Sequence, residues 1–77
     1  MALIKSTLLQ SYFNTPMHKR TATQRNEAWA SEWQGNAEDW AKGKIAATQP
    51  DGSVSPTYDE RIEFCEAEAV ASLAGLR

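Results

Sequence analysis

Residues 21–42 read TATQRNEAWASEWQGNAEDWAK, and this stretch decides the fold. It contains no proline and opens on Thr21-Ala22-Thr23-Gln24, the pattern of a capping box. In such a box the Thr hydroxyl accepts from one orphan amide of the first turn and the Gln side chain reaches back to another. Gly43 follows as a left-handed stop. Trp29, Trp33 and Trp40 are four and seven residues apart. At about 100° per residue they fall within an arc of about 40°, with Asn26 and Asn36 beside them. No Leu, Ile, Val, Met or Phe occurs in the segment, so the Trp stripe reads as the core face of this helix ahead of an anchor for a partner. Gly35 weakens it by up to about 1 kcal/mol relative to Ala and marks a place for a local break.

Downstream, Gln49-Pro50-Asp51-Gly52 is a turn signal: proline presets φ and glycine accepts φ > 0. Ile45 and Val54 flank it, but Ala46, Ala47 and Pro56 are poor strand material, so the region 45–55 reads as an ordered loop ahead of a minor hairpin. After Ser55-Pro56, Thr57-Tyr58-Asp59-Glu60 forms a second capping box, with both acids favourable at a helix N-terminus. A helix over about 57–74 follows, ended by Gly75. Tyr58, Ile62, Cys65, Ala69, Leu73 and Leu76 make one stripe along it, which predicts a helical hairpin with the Trp stripe packed on the face from 62 to 73. Phe64 points nearly opposite Ile62, beside Ala67 and Ala71, and needs separate cover. An N-terminal helix on the far side of this one would supply it, as would a second copy in a homodimer or a partner protein.

Upstream, Leu3, Ile4, Leu8, Leu9, Tyr12 and Phe13 fit a helix over about 3–13, ended by Asn14-Thr15-Pro16. Its apolar residues cover most of the circumference, leaving chiefly Lys5, Ser6 and Gln10 as a polar strip, so it is packed on two sides or looks outward with one. The fold class is therefore all-α: one small three-helix domain over 1–77, a helical hairpin of about 21–42 and 57–74 plus the N-terminal helix.

Twenty of the 77 residues are large or medium apolar side chains and twelve more are Ala. That suffices for one thin core and not for a core plus a deep substrate pocket. With 8 Lys and Arg against 10 Asp and Glu, the net charge of −2 excludes a generally cationic nucleic-acid binder. The total hides an asymmetry. Residues 1–26 hold Lys5, Lys19, Arg20 and Arg25 and no acid, whereas all ten acids lie in 27–77 with four bases. The acid-free start has the composition of a transit peptide, but removing it would leave about fifty residues, near the limit for independent folding. It therefore reads as a retained part of a cytoplasmic protein. No run approaches the roughly 20 apolar residues of a membrane span.

Single residues exclude several chemistries. One cysteine, Cys65, cannot form a disulfide within the chain, and one Cys with one histidine, His18, cannot complete a structural zinc site. Cys65 sits on an apolar stripe, which marks a buried, inert thiol ahead of a nucleophile with His18 as its base. The acids of the last helix have neither a cleft nor EF-hand spacing, and the glycines form no phosphate-binding pattern. No cofactor, metal or catalytic constellation is expected.

What remains is a non-enzymatic interaction protein that docks onto a larger protein as inhibitor, adaptor or assembly subunit. Phe64, Trp29, Trp33, Trp40 and Phe13 are its candidate contact residues, Trp being enriched at binding hot spots. A nucleic-acid-associated protein using Lys19, Arg20 and Arg25 is the alternative, although these form a thin phosphate footprint with no helix-turn-helix spacing. In texture (short, acidic, one Cys, rich in Trp) the chain is similar to small phage or mobile-element accessory proteins.

Overall fold

The computed structural model describes residues 6–75. They form three α-helices: α1 (Thr7–Asn14), α2 (Ala22–Ala47) and α3 (Thr57–Leu73), with one 3-10 turn, Met17–Lys19, between the first two. The all-α fold, with an α2–α3 hairpin and a further helix at the N-terminal end, is the one expected from the sequence. No strand occurs among the described residues, and the region 45–55 divides between the end of α2 and a loop.

The helix boundaries carry several corrections. Ser6 does not lie inside the first helix but caps it: its backbone is extended and its Oγ accepts from the Leu9 amide at 3.2 Å. Serine gains more by bonding an orphan amide than by sitting in a helix interior. The part of the expected helix before Ser6 lies outside the described residues. At the start of α2 the Thr21 hydroxyl accepts from Gln24 N at 3.0 Å, as the capping box requires. The Gln24 side chain instead donates to Thr15 Oγ1 at 3.2 Å, tying α2 to the end of α1. The second box does not form, because Thr57 is already helical; the cap position is Pro56, and Ser55 Oγ takes the Thr57 amide at 3.3 Å.

Neither glycine of α2 interrupts it. The helix runs unbroken through Gly35 and continues past Gly43 to Ala47, where Thr48 turns extended. Gly43 is not a stop but a place of close approach, since a Cβ there would stand 3.3 Å from the Tyr58 ring. The left-handed glycines are Gly52 and Gly75. Gly52 closes the expected turn by donating to Gln49 O at 2.9 Å, and Gly75 ends α3 as predicted. Asp51 stiffens the turn by accepting from both Ser53 N (2.9 Å) and Ser53 Oγ (2.6 Å), which holds its carboxyl below the usual range.

α2 is the central helix of the layer. α3 runs antiparallel along one side, and α1 packs on the other. This corrects the expected order, with α3 in the middle and the N-terminal helix covering Phe64. The α2–α3 seam is made of small side chains: Ala30 and Ala37 face Cys65, Ala69 and Ser72, all buried. Leu9 is the one large apolar side chain among the buried residues. The Trp stripe thus flanks the seam, and Leu73 lies outside it, 61% exposed. At 54 × 22 × 16 Å, with a radius of gyration of 15.0 Å, the molecule is longer and flatter than a compact chain of this length, for which roughly 11–12 Å is expected.

Candidate interaction surface

Besides Gln24, two side chains hold α1 in place. Glu32, buried in α2, accepts from the Ser6 amide through Oε2 at 2.7 Å. Together with the Ser6–Leu9 bond this reproduces a capping box whose acid comes from another helix. At the other end Arg20 donates from Nε to Thr15 O (2.9 Å) and from Nη2 to Phe13 O (2.9 Å). Its guanidinium also lies 5.0 Å from the centre of the Tyr12 ring and 5.9 Å from that of Phe13. These two bonds and two rings employ Arg20 as a clamp on the end of α1, whereas Lys19 and Arg25 are exposed.

The two sides of α2 that α1 and α3 occupy leave an open strip carrying the tryptophans. Each takes an aromatic neighbour from a flanking helix in an edge-to-face or near edge-to-face contact. Trp29 meets Phe13 at 6.3 Å between ring centres, Trp33 meets Phe64 at 5.8 Å, and Trp40 meets Tyr58 at 5.9 Å. Tyr12 joins the row through Phe13 at 5.5 Å, so all seven aromatic residues of the chain belong to it. The row lies over the helical layer rather than inside it. Phe64 is 51% exposed, Phe13 44%, Trp29 38% and Trp40 37%; Trp33 is half-buried. Among the described residues no indole N–H of the three tryptophans donates a hydrogen bond. The candidate contact residues therefore share one face, and Phe64 finds partial cover on Trp33 instead of on α1.

Beside Trp29 the face has a notch of about 290 Å³, lined by Arg25, Trp29, Trp33 and Ser72. Ser72 Oγ is buried there with no hydrogen-bond partner among the described residues, and Asn26 Oδ1 is in the same condition. Neither atom was marked by the sequence, where Ser72 is one of several small residues on α3. Two buried acids also escaped it. Glu32 follows Ala28 by one turn on the α1 side, and Glu68 lies in the Cys65–Ser72 seam.

Cys65 is buried, as its stripe implied. Burial pushes its thiol above the ordinary range; Arg61 offsets this in part and Glu68 adds to it. His18 lies exposed on the 3-10 turn, so the two do not meet as nucleophile and base. Among the described residues no three His, Cys, Asp or Glu side chains are placed to hold a metal ion, and no helix is long and apolar enough to cross a membrane. No protein-family model matches the chain, and no curated protein or solved structure matches it.

Proposed function

We propose that this chain is a small non-enzymatic interaction module that docks onto a larger protein through its aromatic face. The observation that carries the reading is an inversion of the usual burial order. The seam that holds the hairpin is Ala, Cys and Ser, while Trp29, Trp40, Phe13 and Phe64 remain more than a third exposed, in aromatic pairs set along one strip of α2. Each large ring brings roughly 150–250 Å² of surface, and rings already fixed against a neighbour lose little entropy on binding. Indole N–H groups that donate to none of the described residues, and the notch beside Trp29, suit a partner that presents carbonyl or hydroxyl groups between apolar side chains. The engagement of Arg20 with α1 occupies donors that nucleic-acid association would aim at phosphates, which leaves Lys19 and Arg25 as the exposed cations of the three.

The test uses the whole chain as bait for proteins of the cell that makes it. The wild type should retain a stoichiometric partner that Phe64→Ala and Trp29→Ala each lose, with helical circular dichroism preserved in both. Retention by both variants, or loss of helicity in either, would place these rings outside a docking role.

A further inference from the structure

On the side of α2 opposite the tryptophans lies a second surface of different chemistry. Glu27, Ser31, Gln34 and Glu38 follow a strip about 150° around the helix from the Trp strip. Above this strip stand Leu8 of α1 and Leu73 of α3, 52% and 61% exposed. Two adjoining hollows of about 340 and 390 Å³ share Leu8, Ser31 and Gln34 and join into one groove. Its floor is small (Ala30, Ser31 and Gly35), its walls are aliphatic, and it runs from Glu27 to Glu38. The eleven residue steps between these two acids rise about 16 Å, or three turns.

The charges of the groove select its occupant. Glu27 and Glu38 are the titratable groups in its lining, one toward each end, and neither is in an ion pair among the described residues. Of the bases on α2, Arg25 lies two residues before Glu27 but lines the notch beside Trp29, and Lys42 lies a turn beyond Glu38; among the described residues neither is paired with these acids. A second copy seated here by two-fold symmetry would bring acid against acid. We infer that this groove receives an amphipathic helix of a partner protein, with aliphatic side chains at i, i+4 and i+7 and a Lys or Arg at each end of that stretch. The aliphatic residues enter between Leu8 and Leu73 over the small floor, and the cations meet Glu27 and Glu38, the helix-in-groove mode with charges setting register. The inference concerns a different face from the aromatic row and does not rest on it.

The probe is a stapled, fluorescein-labelled helical peptide of about 14 residues. It carries three leucines at that spacing and a lysine eleven residues from another; its twin carries glutamates in place of both. Fluorescence anisotropy against the full chain should give binding at least about tenfold tighter for the lysine peptide at low salt. The Glu27→Lys, Glu38→Lys variant should reverse the preference, and Gln34→Trp, an exposed position that fills the groove, should abolish binding of the lysine peptide. Trp29→Ala should leave that binding unchanged, which separates this proposal from the aromatic-face reading. Equal affinity for the two peptides, no binding of either at millimolar concentration, or undiminished binding by the Gln34→Trp variant would overturn it. So would a concentration-dependent dimer in analytical ultracentrifugation that Gln34→Trp dissociates, since that would seat a second copy in the groove.

Discussion

The α2–α3 seam and the aromatic row lie side by side on the same helix, and they divide the work that a single core ordinarily does. The seam is narrow, made of Ala30, Ala37, Cys65, Ala69 and Ser72, and it is buried. The row carries the chain's seven rings, four of them more than a third exposed and the other three half-buried. Small residues let two helices approach closely and exchange many weak contacts, but they remove little apolar area per residue from water. Large rings could have supplied that area, yet they stand outside, where their packing on one another is edge-to-face and partial. Fold and surface are thus built from different residue types, which makes them separable by mutation.

The largest single effect is expected where a large side chain is buried. Leu9→Ala should cost about 3 kcal/mol, because Leu9 is the one large aliphatic fully buried among the described residues and its loss opens a cavity between α1 and α2. Urea unfolding measures it; a cost below about 1 kcal/mol would mean that α1 contributes little to the core. Glu32→Ala should cost about 1–2 kcal/mol by leaving the Ser6 amide without its acceptor. Hydrogen exchange should show the loss in α1 before α3; uniform loosening would contradict the cross-helix cap. Phe64→Ala should cost about 1 kcal/mol, since half of the ring is already in water and the Trp33 contact is the part removed.

The smallest effect is a pH dependence. The Cys65 thiol is raised in the folded chain, so its contribution is fully present below the unfolded value of about 8.5 and is lost as pH rises through the folded one. Stability should therefore fall on the alkaline side of pH 9, and Cys65→Ala should flatten that decline. An unchanged slope in the variant would assign the alkaline loss to other groups.

Helix identity was legible in residues 21–42 and 57–74, where proline placement and the Thr21 cap leave one reading, but the order of the helices across the layer was not. The ends were less so, for local reasons. Ser6 fits a helix interior or a cap equally well in sequence, and its choice depends on Glu32, twenty-six residues away. Gly43 has the look of a stop, and only the Tyr58 ring lying against it explains a glycine in mid-helix. The tryptophans were placed on one strip, but the strip that packs, through Asn26, Ala30 and Ala37, lies only about 60° from it. Periodicity does not distinguish two strips that close, whereas packing does: rings of that size do not fit where two helices meet through alanines. The acidic groove was illegible for the same kind of reason, since Leu8, Glu27 and Leu73 share it only after three helices are placed side by side.

The central claim, that the small-residue seam holds the fold and the aromatic row does not, is tested most directly by the thermal melts of Ala37→Leu and Phe64→Ala measured together. Overpacking the seam should cost about 2 kcal/mol and lower the Tm by roughly 8–16 °C, against roughly 4–8 °C for the lost ring. A Phe64→Ala chain that melts below Ala37→Leu, or that no longer unfolds cooperatively, would contradict the claim and make the aromatic row the core.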